Sequence, residues 1–354
     1  MVALAKSSIH AISQPLPRHA LASKPRIVPA SVPARKLVRT ATSFRCSSKE
    51  VMLVSADAAK QWLEENIGPV TGSRGLGGSG WASFSKYDVG EQSFFVKTSR
   101  KSVEMFAGEA EGLNAMFATK TLRIPKVYTV GESKDYNGSY IIMEYLNFGG
   151  RCDQAALGHE LAKMHLAEPA VEEAKQGNFG FPVDNTIGAT PQPNGWMDNW
   201  VDFFRERRLL HQLRLANDAQ LTKMGTKLAD NLEDLFEGIT VKPSILHGDL
   251  WSGNLTAVDG HPSVFDPATY YGHHEAEFGM SWCASFGNKF YEAYHELIPK
   301  EPGFERRKKL YLLYHYLNHY NLFGGGYYSQ CTSLLSDLTG ESSAGGVSSR
   351  FYDM

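Results

Sequence analysis

His247-Gly248-Asp249-Leu250-Trp251-Ser252-Gly253-Asn254, followed by Phe265-Asp266-Pro267, is the stretch on which the reading of this chain turns. Ile245 and Leu246 lead into a loop that carries Asp249. Asn254 returns five residues later into a strand, Leu255 to Val258. Asp259-Gly260 is a favoured tight hairpin turn, and the returning strand, Ser263 to Phe265, delivers Asp266 beside Asn254. A carboxylate, an amide and a second carboxylate thus converge on one loop. Phosphoryl transfer from a nucleotide needs that set. In such a set an Asp orients the acceptor hydroxyl and accepts its proton, while an Asn and another Asp hold magnesium on the phosphates.

A metal alone does not hold a triphosphate, so the segment upstream should supply backbone N–H groups and a cation. Gly75-Leu76-Gly77-Gly78-Ser79-Gly80 fits GxGxxG, a weak signal by itself. Its context is more telling. A dinucleotide loop follows a strand and opens a helix. This one follows a helix expected over residues 55–67, with Ser55 or Asp57 as N-cap, and opens a strand pair at 81–89 and 93–98. That is the order of a kinase glycine-rich loop. Phe94-Phe95-Val96-Lys97 ends the second strand on a lysine placed to reach phosphates. The helix expected over 101–119 turns Val103, Phe106, Ala110, Leu113 and Phe117 inward. On that wheel Glu109 lies at the edge of the buried face, and Glu104 and Glu111 point to solvent. Glu109 is therefore the expected partner of Lys97. Each feature has a plain alternative: a turn at His247–Asp249, a solvated strand end at Lys97, a surface charge at Glu109. Their order and spacing together argue against coincidence.

Strands at 127–131 and 139–145 around an Asn137-Gly138 turn complete a small β-rich lobe over residues 50–146. Beyond it the pattern becomes mainly helical: helices around Leu157, Leu161 and Met164, over 197–216, over 219–237, and over 304–323 with Leu310, Leu313, Leu317 and Tyr320 inward. A β island at 245–266 interrupts them. The expected organisation is α+β and bilobal, with a larger helical lobe over 147–335 and a loose Ser/Gly-rich tail over 336–354.

The 354 residues carry 36 basic and 38 acidic side chains, unevenly placed. Residues 1–49 hold nine Lys/Arg and no acid, which leaves the other 305 residues with 27 basic and 38 acidic, a net −11. So acidic a body is a poor match for nucleic acid. No apolar run reaches the length of a membrane span. Four cysteines make no disulfide scaffold and show no zinc spacing. The segment 1–48 is rich in Ser, Ala and Arg and broken by Pro15, Pro17, Pro25, Pro29 and Pro33. It reads as an organelle transit peptide, with chloroplast favoured over mitochondrion.

With these residues in view, the chain resembles the small-molecule branch of the protein-kinase-like fold, in which aminoglycoside and choline kinases share the general form. More specifically, Asn178-Phe179-Gly180-Phe181-Pro182-Val183-Asp184-Asn185-Thr186-Ile187-Gly188, then Thr190 to Trp196, Asn199 to Arg205, Tyr271-Gly272-His273 and Leu322 to Tyr327 resemble the fructosamine-kinase family over about residues 52–335. That resemblance implies ATP- and Mg2+-dependent phosphorylation of the C3 hydroxyl of ketosamines. The acceptors would be ribulosamine, erythrulosamine or fructosamine adducts, on small molecules or proteins. It implies Asp249 as catalytic base, Asn254 and Asp266 as metal ligands, and Lys97 with Glu109 as the phosphate-positioning pair. Gly77, Gly78 and Gly80 would cover the nucleotide, and Met143, Glu144, Tyr145 and Leu146 would form the hinge against adenine. Phosphate at C3 is a leaving group on the carbon next to the C2 carbonyl, so the adduct can eliminate it and release the amine, which is deglycation. The competing readings are another small-molecule kinase, of the choline or aminoglycoside type, and a catalytically silent nucleotide-binding scaffold.

Trp251, two residues after Asp249, reads either as an indole stacked on the acceptor sugar or as core. Trp196 and Trp200, spaced i, i+4, read as core. His165 reads as a satisfied structural histidine and His247 as a brace for the catalytic loop. Glu277 stands where kinase relatives place an Asp, and its longer reach weakens the same bracing role. Asp198 and Asp202 are acceptor-side candidates. Gly80 occupies the place of a cysteine found in many relatives, and Cys152, Cys283 and Cys331 read as ordinary thiols.

Overall fold

The period-2 alternation of β-strands decides which side chains reach the cleft. A computed structural model of the chain describes residues 48–133 and 138–340. The expected transit segment, the Asn137 turn and the chain beyond 340 lie outside the described residues. Helix α1 (Ser48–Asn66) precedes β1 (Val70–Gly78), β2 (Ala82–Val89) and β3 (Gln92–Ser99), then α2 (Val103–Ala118), β4 (Val127–Ser133) and β5 (Gly138–Glu144). The strands form one antiparallel sheet in the order β1-β2-β3-β5-β4. On β3 and β5, Phe94, Val96, Tyr140 and Ile142 pack with Ala59 and Leu63 of α1. Their neighbours Phe95, Ile141 and Met143 face the other way, towards α2 and the main core. Lys97 shares this second face.

Two expectations in this lobe are corrected. α1 starts at Ser48, not at Ser55 or Asp57, because no Gly or Pro interrupts it. On α2, Phe117 is 47% exposed and not inward. The buried arc runs through Phe106, Ala110, Leu113 and Met116, and extends to Gly108 and Gly112. Those two glycines let backbone of the following lobe come close, which widens the buried face on that side.

The second lobe contains α3 (Gln154–Leu166), α4 (Glu172–Lys175), a hairpin of β6 (Asn185–Ile187) and β7 (Thr190–Gln192), and α5 (Trp200–Phe204). A π turn (Arg205–Leu209) joins α5 to α6 (Leu210–Ala216), and α7 (Ala219–Ala229) follows. Next come β8 (Ser244–Leu246), β9 (Leu255–Val258), β10 (His261–Val264), β11 (Tyr270–Gly272), α8 (Ser281–Ala284), α9 (Asn288–Leu297), α10 (Phe304–Phe323) and α11 (Tyr328–Thr339). Asp153 caps α3, accepting from Ala156 N at 2.8 Å. β9 and β10 pair antiparallel across Asp259-Gly260, both at positive φ, as the sequence predicts. α10 is the central helix, with Leu310, Leu313 and Leu317 fully buried. The expectation of a loose tail from Ser336 is corrected over 336–339. α11 continues to Thr339, because Leu334, Leu335 and Leu338 pack into the core, and it stops at Gly340 in the left-handed region.

Candidate active site

β8 and β9 present the two ends of the catalytic loop, and a network behind it holds the loop's shape. Glu277 accepts from the backbone N–H of His247 at 2.7 Å and of Gly248 at 2.9 Å. His165 donates to the same carboxylate at 3.2 Å and contacts the Tyr294 hydroxyl at 2.7 Å. The extra methylene of Glu277 therefore supports the bracing, contrary to the weakening expected from its reach. Burial alone would raise the Glu277 carboxyl, but His165, His247 and the Gly248 N–H hold it below its ordinary value. His247 is fully buried. Its Nε2 meets the Phe265 carbonyl at 2.9 Å, and its Nδ1 accepts from Asp249 N at 3.2 Å. These partners select the neutral Nε2–H tautomer, and burial lowers the His247 pKa in agreement. Gly248 sits at φ +81, and a Cβ there would lie 2.2 Å from the Ala268 carbonyl. Only glycine fits that crossing.

Asp249 faces the cleft. Burial first, then the charges of Asp266 and Glu277, push its carboxyl up to about 7. Asn254 Nδ2 donates to the carbonyls of Asp249 at 3.0 Å and of Asp266 at 3.2 Å. Those bonds point the Asn254 amide oxygen away from the loop backbone. Asp266, a non-glycine residue at φ +62, pairs one carboxylate oxygen with Lys97. Lys97 Nζ also lies 2.6 Å from Glu109 Oε1. Burial would lower the Lys97 pKa, but Glu109 and Asp266 outweigh it and keep the ammonium charged. Glu104 and Glu111 are exposed, as the helix wheel predicts.

The hinge residues Met143, Glu144, Tyr145 and Leu146 line a cavity of about 550 Å3, together with Leu76, Phe84, Phe95, Pro125, Phe148 and Phe265. Phe148 and Phe265 stack at 5.0 Å and 11°. The aromatic walls of this cavity were not read from the sequence. The one available signal was that Phe265 directly precedes Asp266. Gly77 has φ +100, and a Cβ on Gly78 would lie 2.4 Å from the Ala82 carbonyl. Gly80 has open space around it, so nothing in its surroundings requires glycine. Ser79 and Trp81 of the same turn line the neighbouring cavity.

That second cavity, about 640 Å3, opens beside Asp249 and Asp266. Trp251 lines it and is 38% exposed, so the core alternative falls. Its indole lies across Gly253, where a Cβ would meet the ring at 2.2 Å. Met280, Trp282, Cys283, His319, Leu322 and Phe323 form the far wall. Trp200 is buried and Trp196 stacks on Tyr271 at 6.2 Å, as core residues do. Asp198 is exposed and Asp202 pairs with Arg205. Neither lines the described cavities, so both acceptor-side candidates are corrected. Cys331 is buried. The partly exposed Cys283 thiol is pushed up to about 12 by burial and by Asp249.

The donors fit a small hard cation, since an amide oxygen and a carboxylate at one point suit a magnesium-type ion. The free side of Asp266, half exposed towards the cleft, agrees with that use. A hydroxyl placed near Asp249 would find a carboxyl raised to about 7 on one side and the charged ammonium of Lys97 in the same cavity.

The family model described as fructosamine kinase matches residues 56–341. The chloroplastic protein-ribulosamine 3-kinase of Oryza sativa subsp. indica is 46% identical over 318 residues, covering 86% of this chain and 91% of that protein. The chloroplastic protein-ribulosamine 3-kinase of Arabidopsis thaliana is 47% identical over 293 residues, covering 80% and 88%. Among solved structures, a protein described as a fructosamine-3-kinase from Haemophilus somnus 129PT superposes with a TM-score of 0.69 at 27% identity. That match covers 81% of this chain and 98% of the other.

Proposed function

The chain belongs to the fructosamine kinase family, and on that premise we propose how its residues divide the work of a ketosamine 3-kinase. Its reaction is phosphoryl transfer from ATP to ketosamines, with a divalent metal. We assign Mg2+ as that metal and a ribulosamine as the preferred acceptor, the latter from the names of the two plant relatives.

Asp249 takes the proton of the C3 hydroxyl. The freed oxygen forms a bond to the γ-phosphorus, the bond from that phosphorus to the β,γ-bridging oxygen breaks, and ADP leaves with the electron pair. Lys97, held by Glu109, positions the phosphates. The backbone around Gly77, Gly78 and Gly80 covers them, and Met143 to Leu146 meet the adenine. Asn254 and Asp266 would hold Mg2+, which would supply charge neutralisation on the phosphate oxygens. Trp251 offers its indole face to the apolar side of the sugar. In the product, loss of a C1 proton to form the 1,2-enaminol lets the C3–O bond break and inorganic phosphate leave with the electron pair, and water then cleaves the resulting C1 imine, which releases the amine and completes deglycation. The observation that carries this reading is the convergence of Lys97, Asp249, Asn254 and Asp266 on one cleft.

The test is incubation with ATP, Mg2+ and ribulose-glycated lysine, following ADP and sugar 3-phosphate together. Asp249→Asn is expected to bind ATP with Mg2+ and to lose turnover by several orders of magnitude. Unchanged phosphorylation in that variant would remove the assigned mechanism. ATP binding with no transfer to any ketosamine would favour another hydroxyl acceptor or a binding role. We place the protein in the chloroplast, on the acid-free basic composition of residues 1–49 and the chloroplastic names of both plant relatives. Residues 1–49 fused to a fluorescent reporter should enter isolated chloroplasts. Import into mitochondria alone would reverse the assignment.

A further inference from the structure

The glycine turn between β1 and β2 borders both cavities. Leu76, near its start, lines the hinge cavity, and Ser79, Trp81 and Ala82, at its end, line the cavity beside Asp249. The two cavities share Phe84, Lys97, Glu109, Phe265 and Asp266. A turn whose backbone covers phosphates on one side therefore presents side chains to the acceptor on the other. Its end is pinned. Ser79 N donates to the Ala82 carbonyl at 2.8 Å, and the Ser99 hydroxyl donates to the Trp81 carbonyl at 2.7 Å. Ser99 lies two residues beyond Lys97 on β3, so the backbone of Trp81 hangs from the strand that carries the phosphate-positioning lysine. The crown of the turn is clear of other contacts: a Cβ on Gly77 or Gly80 would meet nothing within 4 Å. That leaves the backbone there room to settle on a ligand.

The side chain of Trp81 is uncommitted. It is 36% exposed. Trp196, Trp200 and Trp282 each stack on a neighbouring ring, whereas Trp81 and Trp251 stack on none among the described residues. These two indoles come from different lobes and border the same cavity. Each keeps a large apolar face in contact with water, in a cleft where a ligand can cover it. The carbon chain of a sugar, with C–H groups along one side, is a ligand of that kind.

Resting on the ketosamine 3-kinase reading above, we propose that Trp81 is a second contact for the acceptor sugar, supplied by the turn that covers ATP, so that the acceptor touches one indole from each lobe. Nucleotide and acceptor then bind cooperatively. The phosphates of ATP fix the turn and with it Trp81, and an acceptor arriving at the loaded protein finds both indoles in place. The acceptor arriving first meets Trp251 alone and pays for placing the turn itself. Reciprocity requires the acceptor to tighten the nucleotide by the same factor.

The experiment measures binding of a 3-deoxy ribulosamine, which lacks the reacting hydroxyl, to the full chain with and without AMP-PNP and Mg2+. The unmodified protein is expected to bind it at least about fivefold more tightly when loaded. Trp81→Ala should bring that factor to about one and raise KM for the ribulosamine about tenfold, while the Kd of AMP-PNP measured alone stays in place. Trp81→Phe, which keeps an aromatic face, should recover most of both effects. Should Trp81→Ala fail to fold, Trp81→Leu, apolar but without a ring, takes its place. Equal affinity with and without nucleotide in the unmodified protein overturns the proposal, and so does an unmoved ribulosamine KM in the variant. Weaker binding of AMP-PNP alone in the variant overturns it too, because it shows a misshapen turn and not a lost acceptor contact. Each of these outcomes leaves the kinase reading standing as long as the unmodified protein phosphorylates the ribulosamine. Phosphorylation of no ketosamine at all would remove that reading and the role of Trp81 together.

Discussion

Asp249 carries the sharpest consequence at the scale of single residues. An ordinary aspartate is ionised far below neutrality, but burial and the neighbouring acids push this one up to about 7. A general base works only when unprotonated. The sign is therefore fixed: kcat/KM should fall as the pH drops through about 7, to about a tenth of its plateau one unit lower. A pH–rate profile of the free enzyme checks this, and an acid limb near pH 4 would show that Asp249 is not raised. The residues that could be named from sequence were those whose partners lie close along the chain or on a periodic element. Lys97 ends a strand, and Glu109 follows from the angular spacing of a helix. Asn254 and Asp266 flank the β9–β10 hairpin, which a two-residue turn closes. Phe148, Phe265 and Trp282 were not legible as cavity walls, because an aromatic residue becomes a wall only through what stands opposite it.

At the scale of elements, α2 places Glu109 and is itself held by contacts to the second lobe. Gly108 and Gly112, one helical turn apart, lie against Asn185 and Thr269. A Cβ on Gly108 would come within 2.7 Å of the Asn185 Cβ, and one on Gly112 within 2.7 Å of the Thr269 hydroxyl. In an exposed helix, glycine to alanine stabilises by about 1 kcal/mol. Here the expected sign is opposite. Gly108→Ala should destabilise by about 1–3 kcal/mol, as overpacking does, and should raise KM for ATP by tilting Glu109 away from Lys97. Thermal unfolding and ATP kinetics check both parts, and a rise in Tm with unchanged KM would show that α2 is not seated this way. Most helix and strand positions followed from periodicity, including α10 and the β9–β10 hairpin, although the helix expected over 219–237 ends at Ala229 and a separate 3-10 turn covers Leu232–Leu235. The β6–β7 hairpin and the continuation of α11 past Ser336 did not. Three-residue strands are too short to show a period, and the Ser-rich end of α11 conceals a face set by Leu334, Leu335 and Leu338.

At the scale of the molecule, the lobes are joined by more than the hinge. The backbone of Arg123 pairs with the β10 region: its N–H donates to the Pro262 carbonyl at 2.9 Å and its carbonyl accepts from Val264 N at 3.2 Å. Gly149 N donates to the Ala257 carbonyl at 2.6 Å. Beneath the catalytic loop lies a buried histidine network. His273 contacts the Tyr311 hydroxyl at 2.7 Å, and His274 the Tyr294 hydroxyl at 3.1 Å. Glu275, the next residue, is clamped by Arg307 at 2.7 Å through both oxygens. Burial pushes His274 and His315 each down to about 3. Since the folded value lies below the unfolded one, their stabilising contribution is whole above about pH 6.5 and is lost as the pH falls towards 3. At pH 5 the loss is about 2 kcal/mol for each. Asp249, whose pKa is raised, works in the opposite direction, so a comparison of variants isolates the histidine. The Tm drop between pH 7.5 and pH 5 should be smaller by a few degrees in His315→Gln than in the unmodified protein. Equal drops would show that His315 does not titrate on unfolding.

What the sequence by itself determined was the order of the chemistry: a glycine turn, a lysine on a strand, an acid on a helix, then Asp249, Asn254 and Asp266 around a hairpin. Local stereochemistry dictates that order, since turns, helix faces and strand alternation depend only on near neighbours. Tertiary structure decided what surrounds the chemistry. It lifted Asp249 by burying it between acids, made Glu277 the brace of the loop through two backbone N–H groups, and turned Trp282 and Phe323 into one wall. Those outcomes depend on desolvation and on contacts between residues far apart in the chain, and neither is written in any local stretch of it.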